Sequence, residues 1–107
     1  MHGIKSATEE RNMRFHLFAA CCSIVLGFAV HLTLFEWCMV SSAIAAVLVC
    51  ELINTAIECV CDFITTDYSI LIKRIKDLSA ASVLIASVYA LLIALLIFIP
   101  KILHLTI

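Results

Sequence analysis

Leu78 to Ile99 is a run of 22 residues without a charge, and that single fact restricts the fold more than any other. A helix needs about 20 apolar residues to cross a hydrocarbon core of roughly 30 Å, and this run is long enough. Phe15 to Leu34 is a second such stretch, interrupted only by His16, Ser23, His31 and Thr33. Trp37 to about Ile64 is a third, and its outer half, Trp37 to Cys50, is uncharged. The reading is an all-α membrane protein with spans at about residues 15–34, 37–64 and 78–99. A short amino-terminal surface helix over residues 1–14 precedes them, and residues 1–107 form one domain.

The remaining composition agrees with a bilayer and excludes other classes. Of 107 residues, 64% are hydrophobic, with only two glycines and one proline, and the mean hydropathy is +1.17. That is far too apolar for a soluble domain of this size. The net charge of −1 and seven basic residues gathered at the ends of apolar runs leave no footprint for nucleic acid. Six cysteines (21, 22, 38, 50, 59 and 61) lie mostly within apolar runs, where a thiol behaves as a small hydrophobe. Cys59 and Cys61 are about 200° apart around a helix and cannot hold one metal together.

The connecting segments set the topology. Residues 1–14 carry Lys5, Glu9, Glu10, Arg11 and Arg14, with a Ser6-x-x-Glu9 pattern suited to boxing a helix start. The apolar run after them lacks a small-residue cleavage site, so no signal peptide is expected. Phe35-Glu36-Trp37 reads as a tight turn with interfacial aromatics. Thr65 to Tyr68 breaks the second span, Ile70 to Asp77 is a basic lead-in to the third, and Pro100-Lys101 closes it. Lys5, Arg11 and Arg14 flank the first span, and Lys73, Arg74 and Lys76 lie between the second and third, against Lys101 alone on the other side. The positive-inside rule then places the amino terminus in the cytoplasm and the carboxyl terminus outside.

Within the second span, Glu51, Asn54, Glu58 and Asp62 fall within roughly an 80° sector of one helix face. Ionisable groups at bilayer depth cost at least about 2.5 kcal/mol each and mark a face turned to other helices or to water. The topology brings Glu10, Glu58, Asp62, Asp67, Lys73, Lys76 and Asp77 to the cytoplasmic interface together. Glu51 is deeper, about 16 Å along the helix from Asp62. Carboxylates converging with lysines suit a magnesium–nucleotide complex, because Mg²⁺ takes about one or two carboxylates plus phosphate oxygens. Phosphoryl transfer also needs a group to orient or deprotonate the acceptor hydroxyl, and Glu51 is placed to meet the hydroxyl of a lipid. With glycine only at 3 and 27, neither a Walker A loop nor a Gly-x-Gly-x-x-Gly motif is possible.

The segment Glu51-Leu-Ile-Asn54-Thr55-Ala56-Ile57-Glu58-x-x-Cys61-Asp62, followed by Lys76-Asp77, resembles the signature of the small integral-membrane diacylglycerol kinase and undecaprenol kinase family. Glu10-Arg11-Asn12-Met13-Arg14-x-His16-Leu17, Gly27-Phe28 and Glu36-Trp37 extend the likeness over nearly the whole chain. The resemblance implies a homotrimer of three-span subunits in the bacterial cytoplasmic membrane. It implies Glu51 as the acid/base residue, Asn54 as its positioning partner, and Glu10 with Glu58 as ligands of Mg²⁺ on ATP. Lys76 and Asp77 would contact the nucleotide together with Asp67, while Asp62, Lys73 and Arg14 support the site. The implied acceptor is a membrane lipid alcohol, undecaprenol first and diacylglycerol second. The chain departs from the pattern at Ser69, commonly histidine, at the bulky Ile70, Ile72 and Ile75, and in its short amino-terminal segment.

Two rival readings predict different behaviour. An oligomeric channel or proton-coupled transporter would line an ion path with the stripe, but it gives no use to the lysine cluster. A catalytically silent relative would keep the carboxylates and fail to bind nucleotide. For Glu51 and Glu58 the plainer reading is a hydrogen bond between helices, and for Asn54 an amide joining membrane helices. His16, His31 and His104 read as interfacial anchors.

Overall fold

The computed structural model describes the backbone of residues 2–106 and the side chains of residues 11–105. It consists of three helices, α1 (His2–Ala29), α2 (Leu34–Ile64) and α3 (Ile70–Thr106). All three contain stretches long and apolar enough to cross a membrane. They form an elongated bundle of 57 × 23 × 20 Å. The amino-terminal segment and the first span are one uninterrupted helix.

The first connection falls earlier than the tight turn expected at Phe35-Glu36-Trp37. Helix α1 stops at Ala29 because His31 enters the left-handed region, φ 55°. The Leu32 N–H then donates to the Gly27 carbonyl at 3.2 Å, closing the helix end as in a Schellman motif. Thr33 caps α2: its hydroxyl accepts the Glu36 N–H at 3.2 Å, and the Glu36 carboxylate accepts the Thr33 N–H at 2.9 Å. This reciprocal capping box satisfies two otherwise orphaned donors, so residues 35–37 form the first turn of α2.

Helix α3 also outruns its expected end at Pro100 and continues to Thr106. Proline removes one backbone hydrogen bond, yet an apolar environment offers the following carbonyls and amides nothing better than the helix. Lys101 fastens this end, donating to Glu36 at 2.9 Å and to the His31 carbonyl at 3.3 Å. At the opposite end, Ser69 lies at the N-cap of α3 and accepts the Ile72 N–H at 3.4 Å.

Packing centres on α2, which lies mainly against α3 and less extensively against α1. Val30, Leu32, Val40 and Phe98 form a buried cluster near the first connection, with Trp37, Ile44, Ala94 and Ile97 packed around it. Gly27 is what lets Trp37 in, because a Cβ there would sit 2.6 Å from the Trp37 ring and 3.0 Å from Leu32. The Trp37 ring also tilts against Phe28, centroids 4.9 Å apart. Gly27→Ala is therefore expected to destabilise the bundle by about 1–3 kcal/mol, read as a lowered unfolding midpoint in detergent. Trp37→Phe in that background should restore part of the loss.

Candidate active site

The stripe on α2 points into the bundle, and its burial is graded. Glu51 is 4% exposed and Asn54 9%, whereas Glu58 and Asp62 are half-buried nearer the helix end. The helical spacing that aligns them alternates with Leu52, Ile53, Val60 and Phe63, all exposed on the other faces. Three polar residues at i, i+3 and i+7 therefore share the side that α1 and α3 cover.

Each member of the stripe meets a different neighbour. Glu51 approaches His16 of α1, with Oε2 to Nε2 3.7 Å, a pair within ionic range but longer than a hydrogen bond. The Asn54 amide donates to Glu58 at 3.2 Å. The Asn54 carbonyl oxygen is buried without a hydrogen-bond partner among the described residues, as is the Ser79 hydroxyl on α3. Such a group forfeits about 1–3 kcal/mol, so each of these two oxygens has an unmet capacity for a hydrogen bond. Asp62 closes the stripe by accepting from Lys76 of α3 at 2.8 Å.

The remaining predicted residues lie on α1, beyond the carboxyl-terminal end of α2, or on the first turns of α3. Lys73 and Asp77 pair along α3 at 2.7 Å, both largely exposed. Asp67 is exposed in the connection between α2 and α3, where its N–H donates to the Thr65 hydroxyl at 3.0 Å. Arg14 is exposed on α1, two residues before His16. The Glu10 side chain lies outside the described residues. Thus the Asp62–Lys76 bond joins α2 to α3, Glu58 is bonded to Asn54 of its own helix, and Asp77 pairs with Lys73 along α3.

Two features of the structure differ from the sequence expectation. His16, read as an interfacial anchor, is the partner of Glu51, and Ser69 caps α3. Among the described residues no three metal-ligating side chains converge. The half-buried Glu58 is a hard-oxygen donor of the kind a magnesium ion uses one or two of while bound to phosphate.

A protein family described as "Prokaryotic diacylglycerol kinase" matches residues 1–98. A relative named "Undecaprenol kinase" from Bacillus subtilis (strain 168) is 41% identical over 97 residues, covering 91% of this chain and 79% of the relative. A "Diacylglycerol kinase" from Haemophilus influenzae is 39% identical over 87 residues, covering 80% and 74%. A "Diacylglycerol kinase" from Synechocystis is 31% identical over 97 residues, covering 90% of this chain and 55% of the relative. No solved structure matches the chain.

The two ion pairs at this end differ in shielding, and a double-mutant cycle will separate them. Asp62 and Lys76, with side chains 24% and 33% exposed, should couple in unfolding free energy by about 1 kcal/mol when mutated to Asn and Met. The exposed Lys73–Asp77 pair should couple by no more than about 0.5 kcal/mol.

Proposed function

We propose that this chain, which belongs to the prokaryotic diacylglycerol kinase family and is a multi-pass membrane lipid kinase, transfers the γ-phosphoryl group of ATP to a lipid alcohol at the cytoplasmic face. The observation that carries this reading is a carboxylate, Glu51, held 4% exposed on the same helix face as the more accessible Glu58 and Asp62. A deep acid beside a shallower acid-and-lysine cluster matches the two halves of the reaction, the hydroxyl coming from the bilayer and the phosphate from water.

In the proposed reaction the acceptor oxygen attacks the γ-phosphorus as the bond to the ADP oxygen breaks. The hydroxyl proton passes to the Glu51 carboxylate, which acts as general base. Asn54, fixed by its hydrogen bond to Glu58 and with its buried carbonyl oxygen unpartnered among the described residues, would help to position Glu51. Glu58, with Glu10, would hold Mg²⁺, which supplies neutralisation of the phosphate charge when bound. Lys76, Asp77 and Asp67 would contact the nucleotide, with Asp62 steadying Lys76 through their 2.8 Å bond. The amino terminus lies in the cytoplasm and the carboxyl terminus outside, following the distribution of basic residues.

The acceptor is an undecaprenol in the first place, supported by the 41% identity to a relative carrying that name, and diacylglycerol in the second. A homotrimer would bring stripes and cytosolic residues of neighbouring subunits together. Large exposed side chains such as Leu52, Val60, Leu84 and Leu96 leave ample apolar surface for lipid and for neighbouring subunits.

Purified protein in lipid, given labelled ATP, Mg²⁺ and each alcohol in turn, should phosphorylate undecaprenol faster than diacylglycerol. Glu51→Gln should lower kcat by about 10²–10⁴-fold, the usual contribution of a general base, without unfolding the bundle. Retention of full activity by that variant would remove Glu51 from the role.

A further inference from the structure

A groove of about 290 Å³ runs between the three helices, at the lower end of the sizes that bind small molecules. Its walls are almost wholly apolar, with Ala19, Ala43, Val47, Ala90 and Ile93 among them. Three polar side chains, His16, Ser23 and Ser87, also border it. The Ser23 hydroxyl is spent on the Ala19 carbonyl of its own helix, at 2.9 Å. Ser87 comes from α3. Among the described residues His16 alone both borders the groove and approaches a stripe carboxylate. Glu51 itself does not line the groove, but it lies one helical turn beyond Val47 and Leu48, which do.

The surroundings of Glu51 make His16 difficult to replace. On α2, the Asn54 amide is committed to Glu58. On α3, Tyr89 is the only ionisable residue between Asp77 and Lys101, and its hydroxyl is 3.3 Å from that of Ser42. On α1, the His16 side chain is 17% exposed and its Nε2 is 3.7 Å from the carboxylate. A glutamate has three side-chain torsions to immobilise, and at bilayer depth water does not share the task.

We infer that His16 is a positioning residue for phosphoryl transfer: its imidazole holds the Glu51 carboxylate at the inner end of the apolar groove, facing the acceptor hydroxyl. This rests on the lipid-kinase reading above and adds a residue to it. The contact tightens when the acceptor arrives, as catalytic hydrogen bonds commonly do between the free enzyme and its complex. Because His16 acts through Glu51 and lies away from the lysine cluster, its removal affects turnover and leaves nucleotide binding alone.

The test compares His16→Phe, which keeps the ring shape without its nitrogens, with His16→Gln, which keeps an N–H at similar reach. Both are assayed as full-length protein in bilayers containing undecaprenol, with labelled Mg-ATP. His16→Phe should lower kcat by about tenfold or more, with the KM for ATP within about twofold of the parent. His16→Gln should recover kcat to within about threefold, and both should unfold at the parent's temperature. Undiminished turnover in His16→Phe, or a loss in His16→Gln as deep as in His16→Phe, overturns the assignment. A parent protein that phosphorylates no lipid alcohol overturns the lipid-kinase reading and this inference with it, and that failure is told apart because it shows before any substitution.

Discussion

Carboxylates at bilayer depth are stable only when something other than lipid faces them, and this bundle is arranged so that every stripe residue turns inward. The cost of an unpartnered charge in hydrocarbon, at least about 2.5 kcal/mol, exceeds what most single contacts contribute. It therefore outranks the packing of any one apolar side chain in setting the rotation of α2. Glu51 finds His16, Asn54 and Glu58 find each other, and Asp62 finds Lys76. The exposed faces carry leucine, isoleucine, valine and phenylalanine, for which lipid is a favourable environment. One periodicity thus sets both the membrane orientation of the helix and the inward direction of its chemistry.

The two ends of the bundle are built differently. At the first connection a capping box, the close approach of Trp37 to Gly27 and the Lys101 contacts lock α1, α2 and α3 together. At the other end, the Asp62–Lys76 bond ties α2 to α3, while Lys73 and Asp77 are exposed. Apolar packing dominates one end and paired charged side chains the other. That division suits a membrane lipid kinase, whose lipid substrate comes from the bilayer.

Much of this was legible in the sequence because its signals were of low ambiguity. A 22-residue run without charge can scarcely be anything but a span, and polar residues at 51, 54, 58 and 62 share a face on any helix. The ends of the helices were harder. Thr33-x-x-Glu36 is a capping box, but it follows apolar residues that continue the first span's pattern, and the left-handed conformation of His31 has no sequence marker as plain as glycine. Pro100 suggests an end only if the freed backbone has water to bond with. A single histidine near a span end, such as His16, carries no pairing information in the sequence. Only the packing of α1 on α2 connects residues 35 positions apart.

The inward orientation of the stripe is open to direct measurement. In bilayers doped with chain-labelled paramagnetic lipid, NMR signals of residues that touch acyl chains lose intensity, while those facing other helices keep it. The account requires Glu51 and Asn54 to retain their signals while exposed Phe63 and the outer surface of α3, at Leu84 and Leu96, are attenuated. Attenuation at Glu51 and Asn54 as deep as at those positions would place the acids against lipid and contradict the account at its foundation.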